Sequence, residues 1–184
     1  MSRPNMTGPQ LFDWIGNNPH EWLFCAERLL TAARVIENRR DEIGDAALAR
    51  GDHSPSHPDL NTIWIPQMLT AMAIECLVKG VLLRRGKTLA KDGKLVLDED
   101  AKAHDLVALV ERVGYPRFAD ARQALFRLTV IALSTARYPV PMHWTMRKPE
   151  LKSGWGFHED LSWSLVFSRQ CDDVINWLRT ELRK

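Results

Sequence analysis

The stretch from about 66 to 85 constrains this chain more than any other. Met68, Leu69, Met72, Ala73, Cys76, Leu77, Gly80 and Val81 recur at the spacing of one helical face, and Ile74, Val78 and Leu82 carry the apolar surface around its sides. A helix apolar around most of its girth must be enclosed, either at the centre of a bundle or against a partner. Its small polar remainder includes Glu75 and Lys79, an i,i+4 pair in the favourable order, for which a structural role is expected. The rest of the chain must therefore supply amphipathic helices to cover it.

It does so on both sides. Asn18 followed by Pro19 forms an N-cap and first-turn pair, and Trp22, Cys25, Ala26, Leu29, Leu30, Ala33 and Ile36 then predict a helix over about 19–43. Residues 1–17 read as an irregular lead-in. The segment GDHSPSHP, 51–58, breaks the pattern with two prolines and marks a loop. Downstream, KTLAKDGKLVLDED predicts a short hairpin or loop turning at Asp92-Gly93. Leu106, Leu109, Val110 and Val113 give a short helix stopped by Gly114. Leu125, Leu128, Thr129, Ala132, Leu133 and Ala136 give a longer one that Tyr138-Pro139 should terminate. Phe167, Cys171, Val174, Leu178 and Leu182 mark a last helix from about 160. The expected fold is all-α: one domain over 1–184, an antiparallel bundle of about five helices with a hairpin or loop inserted between the second and third.

Composition narrows the partners. Across 184 residues, 25 Lys plus Arg oppose 23 Asp plus Glu, so the net charge of +2 gives no global field toward nucleic acid or membrane, and an anionic ligand would need a local patch. The three cysteines, Cys25, Cys76 and Cys171, lie far apart in sequence and suggest neither a disulfide framework nor a CxxC metal site, which fits a reducing cytoplasm. The N-terminal stretch lacks the apolar core of a signal peptide, and no apolar run reaches the ~20 residues that span a bilayer.

Three segments in order, AMAIECLVKGVLL (71–83), AHDLVALVERVG (103–114) and STARYPVP (134–141), resemble the second, third and fourth helices of HEPN domains, a family named for its occurrence in higher eukaryotes and prokaryotes and for nucleotide binding. The resemblance covers about 64–141. It implies an antiparallel helical bundle, frequently a homodimer, and a nucleotide or RNA as ligand. The apolar girth of the helix over 66–85 separately leads to the expectation of a homodimer with that helix or the one ending near 136 near the interface. Many catalytic members are metal-independent ribonucleases marked by an Arg followed at short range by a His. Arg137 and His143, five residues intervening, meet that spacing. The resemblance then implies His143 as general acid or base on a ribose 2′-hydroxyl and Arg137 as the stabiliser of phosphate charge. Tyr138 stands where active families usually carry a polar residue, and the alternative for Arg137 is to satisfy carbonyls at a helix C-terminus.

The segment after it interleaves Trp144, Trp155 and Phe157 with Arg147, Lys148 and Lys152, the composition of a surface on which bases stack while cations meet phosphates. With Tyr138 and His158 these residues are the candidate ligand-binding set. Their alternative is packing over the bundle end with solvated charges. Three further patterns are set aside. Gly86-Lys87-Thr88 has Gly80 one residue too far back for a phosphate-binding loop and ends a helix. Asp98, Glu99, Asp100, His104 and Asp105 are explained by the dipole of the helix that follows. His53 and His57 sit in a loop that fixes neither. No metal and no cofactor is expected. Two functions remain open: a nucleotide- or RNA-binding module that could be an endoribonuclease of toxin or defence type, and a non-catalytic adaptor, antitoxin or dimerisation partner.

Overall fold

The computed structural model describes residues 6–52, 57, 62, 64–96, 104–132 and 165–184. In chain order these form α1 (Gly8–Gly16), α2 (Pro19–Ala49), α3 (Ile65–Arg84), a hairpin of β1 (Ala90–Lys91) and β2 (Lys94–Leu95), then α4 (Leu106–Arg112), α5 (Phe118–Val130) and α6 (Leu165–Arg183). Among the described residues the protein is an all-α bundle carrying one hairpin of two-residue strands.

The apolar girth of α3 is used within the chain. Ala73, Ile74, Leu77 and Val78 are fully buried, and the core around them draws Ala26 from α2, Leu109 and Val110 from α4, Leu125 and Leu128 from α5, and Val174 and Leu178 from α6. Among the described residues α3 is the one helix whose length and hydropathy would suffice to cross a membrane, but 61% of that window is buried by its neighbours, as in a core helix. Enclosure inside one chain also removes the reason for placing α3 at a dimer interface.

α2 runs antiparallel to α3, and α6 runs parallel to it. Both approach most closely at Gly80, where a methyl group would sit 2.9 Å from Leu182 Cδ2 and 3.5 Å from the Pro19 carbonyl oxygen. Arg179 fastens α6 to α2 through a two-pronged bond to Glu27, at 2.7 and 2.6 Å. α4 and α5 form a helical hairpin closed by the buried Thr129 hydroxyl, which accepts from the Leu106 amide (3.0 Å) and donates to the Leu125 carbonyl (2.9 Å).

The helix boundaries follow local chemistry. Asn18 caps α2 by accepting from the His20 amide at 3.0 Å, with Pro19 in the first turn. α3 ends in a Schellman motif: the Gly86 amide bonds Leu83 and the Lys87 amide bonds Leu82, with Gly86 at φ 84°. Gly86-Lys87 is thus a helix terminator. At the hairpin tip Asp92 (φ 54°) and Gly93 (φ 72°) both take positive φ, as a type I′ turn requires.

Three boundaries differ from the sequence reading. The lead-in contains a helix, α1, started by Pro9 and by the Thr7 amide donating to Gln10 Oε1 at 3.0 Å. It is held by the hairpin: Asn17 Oδ1 accepts from the Leu89 and Ala90 amides and Asp13 Oδ1 from that of Gly93. α2 continues past Ile43 to Ala49 because Gly44 is followed by an alanine-rich turn with good helix propensity. α5 begins at Phe118, earlier than its strongest apolar positions suggest. The expected stop at Tyr138-Pro139 and the expected start near 160 lie outside the described residues.

Candidate functional site

α3 carries two charged side chains that its neighbours largely enclose. Glu75 and Lys79 point outward from the core face one turn apart, yet only 14% of the Glu75 side chain and 8% of Lys79 remain exposed. Lys79 Nζ donates to Glu75 Oε1. Its ammonium also lies 5.3 Å from the centre of the Trp22 ring, and Trp22 is fixed in turn by donation from Nε1 to the Gly16 carbonyl at 2.9 Å. α2 thus roofs the pair with an aromatic face.

The second Glu75 oxygen serves another element. His104 stands just before α4, held by the Asp105 cap that accepts from the Val107 and Ala108 amides at 2.9 and 3.2 Å. Its Nδ1 lies 2.9 Å from Glu75 Oε2. Burial pushes the Glu75 carboxyl up, but the hydrogen bonds and charges of His104 and Lys79 outweigh that and hold it below its ordinary value. An ionised carboxylate only accepts, so Nδ1 carries the proton in this bond. The imidazole is half exposed, at 51%. A buried carboxylate orienting an exposed imidazole is an arrangement able to pass a proton, with Lys79 balancing the charge behind it.

The cluster is joined to the end of α5. Thr129 bonds the Leu106 amide, two residues beyond His104, and α5 ends at the next residue, Val130. Near that end Arg127, buried, stacks its guanidinium 4.3 Å from the centre of the Phe167 ring at the start of α6.

The residues singled out from sequence fare unequally. Arg137, Tyr138, His143, Trp144, Arg147, Lys148, Lys152, Trp155 and His158 all lie outside the described residues, as do Asp98, Glu99, Asp100 and His53. Asp105 is the helix cap its position implies, while His104 engages Glu75, a pairing across 29 residues that no local pattern announces. Its signal was indirect: two charges on a helix that has to be enclosed need a third group to satisfy them. Among the described residues no group of three or more His, Cys, Asp or Glu side chains converges to hold a metal ion. No family model matches the chain, and neither a curated protein nor a solved structure resembles it significantly.

Proposed function

We propose that the chain is a HEPN-like helical module that binds RNA or a nucleotide, with His104 as a ligand-facing group and with Arg137 and His143 as its candidate catalytic pair. The observation that carries this reading is the half-exposed imidazole braced by Glu75 and Lys79. Two of the three segments that resemble HEPN helices, 71–83 and 103–114, supply all three residues. A buried ion pair stabilises a core no better than well-packed leucines of similar volume, so its placement on α3 favours a role beyond stability. An imidazole that can give or accept a proton suits ribose and phosphate chemistry, and the aromatic and basic composition of 144–157 suits a base-stacking surface.

Incubation of the full chain with single-stranded RNA in EDTA tests the enzymatic form of this reading. Cleavage that leaves a 2′,3′-cyclic phosphate and is lost in His143→Ala supports a metal-independent ribonuclease of toxin or defence type. Binding without cleavage keeps the module and removes the enzyme. Protein that neither binds nor cuts supports the second reading, a helical adaptor, antitoxin or dimerisation partner. One observation favours that alternative: α2 leaves Phe24 (55% exposed) and Val35 (62%) three turns apart on one outward face.

A further inference from the structure

The sequence places Cys25 and Cys76 fifty-one residues apart, yet the structure brings their sulfurs to 3.8 Å across the α2–α3 interface. Both are free thiols, Cys25 exposed and Cys76 half-buried. We propose that Cys25 and Cys76 form a redox-active pair that closes to a disulfide with a low-molecular-weight disulfide as oxidant, clasping α2 to α3.

The register of the two helices supports the clasp. On α2, Cys25 stands one turn after Trp22; on α3, Cys76 stands one turn before Lys79. In an antiparallel pair these are successive layers of one interface, the sulfur contact at 3.8 Å and the Trp22–Lys79 contact at 5.3 Å. A disulfide requires the sulfurs to close to about 2.0 Å, a movement of side chains between helices already in contact. The third cysteine, Cys171, is 2% exposed within the core and takes no part.

The environments set the order of events. Burial first, then the charge of Cys25 and the hydrogen bond to it, push the Cys76 thiol up to about 12, so the exposed Cys25 reacts first. The Cys25 thiolate attacks one sulfur of oxidised glutathione, forming a mixed disulfide and releasing a glutathione thiolate that takes up a proton. Cys25 is then neutral, which removes one of the lesser causes that hold the Cys76 proton, burial remaining the largest. Cys76 loses that proton to solvent, attacks the Cys25 sulfur, and expels the second glutathione, which is protonated in turn. Two protein thiols are oxidised and one glutathione disulfide is reduced to two thiols. In a reducing compartment the pair rests as dithiol.

The test treats the native full chain with oxidised glutathione and compares it with the chain kept in a phosphine reductant. The expected product has lost two hydrogens, yields a Cys25–Cys76 cross-linked peptide on digestion, and melts at least about 5 °C higher than the reduced form. Cys171→Ser should form the same cross-link, Cys76→Ser should stop at one glutathionyl group on Cys25, and Cys25→Ser should take up none at Cys76. A wild-type chain in which the Cys25 adduct persists uncyclised overturns the proposal. So does a cross-link to Cys171, or an oxidised form that melts below the reduced one.

Discussion

Glu75 engages two side chains with its two oxygens: Oε1 accepts from Lys79 on its own helix, and Oε2 meets His104 Nδ1, 29 residues away, at 2.9 Å. The two bonds tie the start of α4 to α3 and leave little of either α3 charge to solvent. Removing one partner should therefore cost more than removing both. Glu75→Ala strands the Lys79 ammonium under Trp22 and should lower stability by about 3 kcal/mol, whereas Glu75→Leu with Lys79→Leu should lie within about 1 kcal/mol of wild type or above it. Urea unfolding of the three proteins measures the difference. A double variant weaker than Glu75→Ala would contradict the account.

The same site sets an acid response. The Glu75 carboxyl is held below its ordinary 4.5, so the ionised form is favoured by folding. That stabilisation is fully present above 4.5 and is lost as pH falls through the lower folded value. Melting temperatures of Glu75→Gln should fall less steeply than those of wild type between about pH 5 and pH 2. Parallel curves would show that Glu75 carries no such linkage.

Thr129 is expected to be sensitive to substitution because its hydroxyl has two tasks in a buried place. Thr129→Val keeps the shape but leaves the Leu106 amide without its partner, and should destabilise by about 1–3 kcal/mol. Thr129→Ser keeps the hydroxyl and should recover most of that loss in the same denaturation experiment.

Cys171 gives an alkaline counterpart. Burial pushes its thiol up to about 12, so the neutral form is favoured by folding; that contribution is complete below its ordinary value of 9.0 and is lost as pH rises toward about 12. Cys171→Ala should cost about 1 kcal/mol at neutral pH through lost packing. Between about pH 9 and 11 it should then lose less stability than wild type. A gap between the two proteins that stays constant with pH would refute this.

These relationships mark what the amino-acid order makes legible. The girth of α3, the Asn18-Pro19 start of α2, the Asp92-Gly93 turn and the Gly114 stop act through neighbours a few residues away, so the fold class and most helices can be read from pattern. α1 is not read this way, because nine residues span too few turns to establish a period on their own and its anchorage comes from hairpin amides 72 to 80 residues distant. The His104–Glu75 and Cys25–Cys76 meetings are likewise products of helix packing, invisible to spacing. Of the candidate site, the Arg137 to His158 stretch was found by composition and family resemblance alone and lies outside the described residues. His104, set aside as part of an acidic cluster, is the group the fold brings to a braced and accessible position.

A fluorescence-anisotropy titration of labelled single-stranded RNA with the full chain tests the central claim most directly. The account predicts saturable binding by the wild type and an affinity at least about tenfold weaker in His104→Ala. The melting temperature of that variant should fall by no more than about 3 °C, since the side chain is half exposed. Absence of saturable RNA or nucleotide binding by the wild-type chain would contradict the account.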